Sequence, residues 1–229
     1  MNIQGYQKLT LLDFPGKVAC TVFTGGCNFR CPFCHNASLV TDTLGSPVPE
    51  AEILAFLKKR QGILDGVCIT GGEPLMNRDI PEFIREIREL GFAVKLDTNG
   101  SFPELLESLI SEGLVDYVAM DIKNSKSKYG VTVGKTNFDV SPICKSVDLL
   151  KEGRVDYEFR TTVTGTFHTT DDMNEIGQWL SGCKRYYLQN FVNTGNLIDS
   201  SITGCDKSTM ESMLSAVLAH IPEARLRGL

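Results

Sequence analysis

Histidine is scarce in this chain, at three residues in 229, and no apolar run exceeds about half a dozen residues, well short of the roughly 18 that cross a bilayer. A membrane-spanning helix is therefore not expected. Positive charge is also in deficit: 23 Lys and Arg against 28 Asp and Glu leave a net charge of −5, which gives no general attraction to nucleic acid or to an anionic membrane. Met1 to Phe14 lacks the basic start and apolar core of a signal peptide, so the expected location is the cytoplasm. No Pro/Gly/Ser-rich linker or charge run divides the sequence, and one domain spanning residues 1–229 is the expectation. The remaining composition is that of an ordinary globular protein, which excludes disordered and fibrous classes.

Cysteine, at eight residues, is the exception. Without an export signal, an even count does not imply a disulfide framework, and the thiols are either core residues or metal ligands.

Short β-rich runs alternate with helical patterns. Val18 to Phe23 precedes a helical stretch at Glu50 to Arg60. Val67 to Thr70 precedes Ile80, Phe83, Ile84, Ile87 and Leu90 at helical spacing, with Asp79 and Glu82 placed to cap that helix and Gly91 to end it. Ala93 to Asp97 leads to a helix expected from Ser101, capped with Glu104, to Gly113; Tyr117 to Ile122 leads to one from Ser141-Pro142 to Gly153. Tyr157 to Val163 precedes Asp171 to Leu180. Tyr186 to Phe191 precedes a last helix with Met210, Met213, Leu214, Val217 and Leu218 on one face. About six β/α units predict an α/β fold with a parallel sheet. Either a partial (β/α)6 barrel or a doubly wound sheet satisfies the pattern.

The polar and Gly-rich motifs fall where such folds bind ligands. Thr24-Gly25-Gly26-Cys27, Gly71-Gly72-Glu73-Pro74, Asp97-Thr98-Asn99-Gly100 and Asp121-Ile122-Lys123 all follow or end successive predicted strands, at their C-terminal edge. The strongest is Cys27-Asn28-Phe29-Arg30-Cys31-Pro32-Phe33-Cys34-His35, three thiols within eight residues of a Gly-led loop. Structural zinc wants four ligands, and Cys27, Cys31, Cys34 and His35 supply them formally, but adjacent Cys34 and His35 would strain a tetrahedron. Cys31 to His35 also matches the haem-attachment pattern, which belongs to exported proteins. A redox pair of Cys31 and Cys34 leaves Cys27 and the Gly-rich motifs unused. A four-iron cluster held by three thiolates leaves one iron free to take a ligand directly.

Cys-x-x-x-Cys-x-x-Cys with aromatic Phe33 before the last cysteine, followed by Gly71-Gly72-Glu73-Pro74, resembles the radical S-adenosylmethionine (SAM) enzymes, and the likeness runs through the sixth strand. Leu11-Leu12-Asp13-Phe14-Pro15-Gly16 together with Cys-Asn-Phe-Arg-Cys-Pro-Phe-Cys-His-Asn resembles their glycyl-radical-enzyme activases, above all those serving anaerobic ribonucleoside-triphosphate reductase. The resemblance implies a partial (β/α)6 barrel, a [4Fe-4S] cluster on Cys27, Cys31 and Cys34, and SAM contacts from Phe33, Cys34, His35, Gly71, Gly72, Glu73, Asp121 and Lys123. It further implies a monovalent cation held by Asp97, Thr98, Asp121 and the Met120 carbonyl. Reductive SAM cleavage would then generate a radical on a glycyl radical enzyme, with an electron from a flavodoxin- or ferredoxin-type donor. Where related activases place a SAM-contacting His after the sixth strand, this chain has Gln189 and Asn190. Arg160 is a candidate partner for the SAM carboxylate or a structural ion-pair residue.

A compact enzyme of the 7-carboxy-7-deazaguanine synthase type and a non-catalytic metal module are the alternatives. Little chain follows the sixth strand, so an open mouth able to admit a peptide loop is expected. Cys20, Cys68, Cys144, Cys183 and Cys205 read as incidental thiols. His168 and His220 read as surface or satisfied residues. Lys123, Lys126, Lys128 and Lys135 form either a solvated loop or a docking face for an acidic partner.

Overall fold

The computed structural model describes residues 1–40, 45–193 and 195–228. Burial is nearly complete along the central strands, with Val22, Val67, Ile69, Val94, Leu96 and Val118 all fully buried, as expected of a parallel sheet covered by helices. Among the described residues eight strands form a single sheet: β1 (Ile3–Thr10), β2 (Ala19–Thr24), β3 (Gly66–Gly71), β4 (Ala93–Thr98), β5 (Tyr117–Asp121), β6 (Asp156–Val163), β7 (Tyr186–Asn190) and β8 (Arg225–Arg227). Their spatial order is their chain order, and β2 to β8 pair in parallel while β1 pairs antiparallel with β2. A doubly wound sheet reverses strand order at a switch point. No reversal occurs, and β1 and β8 remain as the two edges, so the sheet is an open, partial barrel.

The helices are α1 (Ala37–Val40), α2 (Glu50–Lys58), α3 (Ile80–Glu89), α4 (Pro103–Ser111), α5 (Tyr129–Thr132), α6 (Ser141–Lys151), α7 (Thr170–Leu180) and α8 (Lys207–Leu218). Each crossover helix buries one apolar stripe against the sheet. In α3 the stripe is Ile80, Phe83, Ile84 and Ile87, all fully buried, and each contributes about 1.5–3 kcal/mol of transfer free energy. None of the helices is long and apolar enough to cross a membrane among the described residues.

The six expected strands are present, and two more flank them. β1 carries Gly5, Gln7 and Lys8 among its residues and β8 has only three residues, so neither shows the apolar run that marks the central strands. Two expected caps do not form. Asp79 makes no cap hydrogen bond and instead accepts from the Met1 amino group at 2.5 Å; α4 starts at Pro103, and Ser101 donates to the Asn99 side chain. The capping box of α7, between Thr169 and Asp172, is complete.

The two-residue period of β4 sends Val94 and Leu96 to one face and Lys95 and Asp97 to the other. Glu158 and Arg160 of β6 share that second face, and all four line one cleft inside the sheet's curve. The lumen of this barrel is therefore charged.

Candidate functional site

At the C-terminal edge of the strands lies a cavity of about 280 Å³. The loop after β2 supplies Cys27, Phe29, Cys31, Phe33, Cys34 and His35 to its wall, and the end of β3 with the turn after it supplies Gly71 and Gly72. Asp97, Asp121, Lys123, Arg160 and Gln189 complete it from the ends of β4 to β7. Of the residues expected to contact cluster or SAM, only Glu73 is missing from this wall.

The cysteine loop is held from three sides. Arg30 donates from its backbone to Val133 O at 3.0 Å and from its guanidinium to Cys27 O at 2.6 Å. Phe29 is buried edge-on against Tyr129 and Phe138. Cys34 N donates to Cys31 O at 3.0 Å, and Phe29 N points at the Cys27 sulfur at 3.4 Å. Burial pushes the Cys31 thiol up to about 12 and raises Cys27; the Lys123 ammonium opposes both shifts. His35 stacks on Phe191 with ring centres 5.0 Å apart, and burial lowers its pKa.

Gly71 and Gly72 are required by the neighbouring loop. A Cβ on Gly72 would stand 1.9 Å from Gly26 O, and one on Gly71 would stand 2.4 Å from Thr24 O at a φ of +117°. Gly72 N donates to Thr24 O and Glu73 N to Gly26 O, both at 2.8 Å, which fuses this turn to the strand end that launches the cysteine loop. These glycines therefore have a packing reason of their own, independent of any ligand.

Glu73 is fully buried and faces inward. Its carboxylate accepts from Asn99 N at 2.6 Å, Thr98 Oγ1 at 2.8 Å and Leu75 N at 3.1 Å. Burial raises its pKa to about 7 against the pull of those three donors.

Arg160 is the hub of the charged lumen. It is the register partner of Asp121, donates to it from Nε at 2.7 Å, and reaches Asp97 at 3.2 Å. Lys123 closes on Asp121 at 3.0 Å, and Lys95, which is 2% exposed, pairs with Asp97. Burial alone would raise both carboxyls, but Arg160 with Lys95 outweighs it at Asp97 and Arg160 with Lys123 outweighs it at Asp121, so both sit below the usual range. The Asp97, Thr98 and Asp121 side chains, expected to hold a monovalent cation, are thus each partnered within the protein.

Gln189 faces the cavity, whereas Asn190 is turned away and exchanges two hydrogen bonds with the Cys205 backbone. His168 is buried, with Nε2 on Lys123 O at 2.8 Å and Nδ1 on Thr164 N at 3.1 Å; His220 meets Asn174. The basic segment is largely committed within the fold: Lys126 lies over Trp179, Lys135 over Phe29, and Lys128 pairs with Asp172. Cys20, Cys68, Cys144, Cys183 and Cys205 are free thiols that do not line the cavity. Lys95 was not singled out by sequence, and Asn99 only as a member of the Asp97-Thr98-Asn99-Gly100 motif. The signal for Lys95 was its position two residues before Asp97, hence on the same strand face.

Among the described residues no three His, Cys, Asp or Glu groups gather closely enough to share one ion. A cubane makes no such demand, because each thiolate binds a separate iron. Three thiols on one cavity wall, backed by Phe29 and Phe33 and facing Lys123, fit a cluster of that kind.

The radical SAM superfamily profile matches residues 21–180. A protein of Methanocaldococcus jannaschii, named provisionally as a glycyl-radical enzyme activating enzyme, is 36% identical over 196 residues, covering 82% of this chain and 79% of its own. The 7-carboxy-7-deazaguanine synthase of Methanopyrus kandleri is 33% identical over 143 residues, 54% of either chain. Among solved structures, Streptococcus suis SuiB bound to its precursor peptide SuiA superposes with a TM-score of 0.71 at 16% identity, over 91% of this chain and 48% of that one. That likeness establishes the shared fold.

Proposed function

Because the chain belongs to the radical SAM superfamily, we propose that it is the activase of a glycyl radical enzyme, with anaerobic ribonucleoside-triphosphate reductase as its protein substrate. The observation that carries this reading is that Cys27, Cys31 and Cys34 share one cavity with Gly71, Gly72, Asp121 and Lys123. Residues 1–229 act as one domain in it.

When bound, a [4Fe-4S] cluster with one free iron supplies a site for the amino and carboxylate groups of SAM and the electron that cleaves it reductively. Cys27, Cys31 and Cys34 are its ligands and lose their protons on binding. Lys123 favours the thiolate forms of Cys27 and Cys31 and is itself fixed by Asp121. Arg160, clamped between Asp97 and Asp121, presents a fixed cation for the SAM carboxylate. Gly71 and Gly72 form the wall beside the amino end, with Phe33, His35 and Gln189 bounding the remaining space. Glu73 acts at one remove, by fixing the strand ends on either side. The reducing electron comes from a flavodoxin- or ferredoxin-type protein.

The activase assignment is supported by the relative that matches four-fifths of the chain; the deazaguanine synthase matches about half. The deciding experiment reduces the iron-reconstituted protein anaerobically with SAM and anaerobic ribonucleoside-triphosphate reductase. Electron paramagnetic resonance should then show a glycyl radical on the partner. SAM cleavage without that radical, accompanied by turnover of a small-molecule substrate, would favour the synthase-type reading instead.

A further inference from the structure

Asn99 sits in the Asp97-Thr98-Asn99-Gly100 turn and is 5% exposed, yet no part of the reaction outlined above uses it. Its Oδ1 accepts two hydrogen bonds from Ser101, one from the backbone N at 2.9 Å and one from the hydroxyl. This double acceptance fixes which way the amide points, because an amide turned the other way would set its NH₂ against two donors. Nδ2 therefore faces the cysteine loop, 2.8 Å from Asn28 Oδ1 and 3.9 Å from the Cys27 sulfur.

The backbone of Asn99 is fixed as firmly. Its N–H donates to Glu73 Oε2 at 2.6 Å, and Glu73 N donates in turn to Gly26 O, next to Cys27. A closed ring runs from Gly26 through Glu73 and Asn99 back to Asn28 and Cys27. Two N–H groups, from Phe29 at 3.4 Å and from Asn99, thus point at the Cys27 sulfur, whereas no comparable donor to the Cys31 or Cys34 sulfur is found among the described residues.

We propose that Asn99 is a positioning residue that directs an amide N–H at the Cys27 sulfur, held in that pose by Ser101 and Glu73, and that this contact raises the reduction potential of the cluster. The proposal rests on the assignment of Cys27 as a cluster ligand. Adding an electron makes the cluster and its thiolates more negative, so a donor aimed at a ligating sulfur stabilises the reduced state more than the oxidised one. Removing the donor makes reduction harder.

The test is a redox titration of the reconstituted protein, followed by electron paramagnetic resonance, in wild type and in Asn99→Ala, Asn99→Asp and Asn28→Ala. Asn99→Asp retains the side-chain shape and the acceptor for Ser101 while replacing the donor with an oxygen. Both Asn99 variants should load iron and lower the equilibrium constant for reduction by about tenfold, equivalent to a midpoint about 59 mV more negative for a one-electron couple. Asn28→Ala removes the other partner of the same amide and should leave the midpoint unchanged. A loaded Asn99 variant with the wild-type midpoint overturns the proposal. So does failure of both Asn99 variants to load iron while Asn28→Ala loads normally, since Asn99 would then shape the loop without tuning the sulfur. A wild-type chain that assembles no reducible cluster overturns the ligand assignment itself, and the proposal with it.

Discussion

Replacing Gly72 with alanine puts the join between the two ligand loops to a direct test. The added Cβ would stand 1.9 Å from Gly26 O and 2.6 Å from Gly26 C, about 1.5 Å closer to the oxygen than ordinary van der Waals contact. Both atoms are backbone, so no side-chain rotation relieves the clash. Either the turn or the start of the cysteine loop must move, and with it go the 2.8 Å bonds from Gly72 N to Thr24 O and from Glu73 N to Gly26 O. Overpacking of this kind costs about 1–3 kcal/mol, and each lost backbone hydrogen bond adds about 1 kcal/mol, so a total of about 3–5 kcal/mol is expected.

Two other glycines calibrate the result. Gly91 has a φ of +89° and nothing within 4 Å of its would-be Cβ, so Gly91→Ala should cost only the left-handed strain of about 1–2 kcal/mol. Gly71 combines a φ of +117° with a 2.4 Å approach to Thr24 O, and its alanine variant should be the worst of the three. Urea unfolding of the cluster-free proteins gives the order, and iron content after anaerobic reconstitution gives the functional consequence. Gly72→Ala should lose most of its iron with all three cysteines intact, whereas Gly91→Ala should load fully. A Gly72→Ala protein with wild-type stability and iron content would refute the claim that this turn carries the cysteine loop.

Arg160→Met should destabilise the protein by about 3–5 kcal/mol at pH 7, since it leaves Asp97 and Asp121 with a missing counter-charge in a buried setting. Both carboxyls are held low in the folded state, so their contribution is present above the unfolded value of 3.8 and lost as pH falls through the folded values; the penalty measured by urea unfolding should shrink below about pH 4. Glu73 works in the opposite sense, because burial raises its pKa from 4.5 to about 7. Its protonated form is favoured by folding, so wild-type stability measured against Glu73→Gln should fall by about 3 kcal/mol as pH rises from 4.5 to 7. Alanine at Cys27, Cys31 or Cys34 should abolish iron loading, measured by iron content and visible absorption, whereas Cys144→Ala should leave it unchanged.

Much of this was legible in the sequence because strong periodicity and strand-end motifs coincide. Six β/α units and four polar motifs at strand C-termini predicted the sheet and placed the cavity. What the pattern left open was barrel against doubly wound sheet, since strand order is a tertiary property that no local period encodes. β1 and β8 escaped notice because edge strands carry too few apolar side chains to stand out. Lys95 and Glu158 escaped for the opposite reason: a charge inside a β run reads as solvent-facing, yet here the lumen itself is charged. Glu73 was expected to face SAM, whereas its three hydrogen-bond donors, Leu75 N, Thr98 Oγ1 and Asn99 N, all come from the surrounding fold, two of them from a neighbouring strand end that no local pattern places beside it. The cap expected at Ser101 does not form because α4 starts at Pro103, which puts Phe102 in the cap position, while Ser101 donates its N–H and hydroxyl to Asn99.

Hydrogen transfer tests the activase account most directly. Anaerobic ribonucleoside-triphosphate reductase labelled with α-deuterated glycine would be incubated with the reduced, iron-loaded protein and SAM, and the 5′-deoxyadenosine product analysed by mass spectrometry. The account predicts that deuterium appears in 5′-deoxyadenosine in proportion to the glycyl radical formed. Cleavage of SAM that yields only unlabelled 5′-deoxyadenosine, with no radical on the labelled partner, would contradict it.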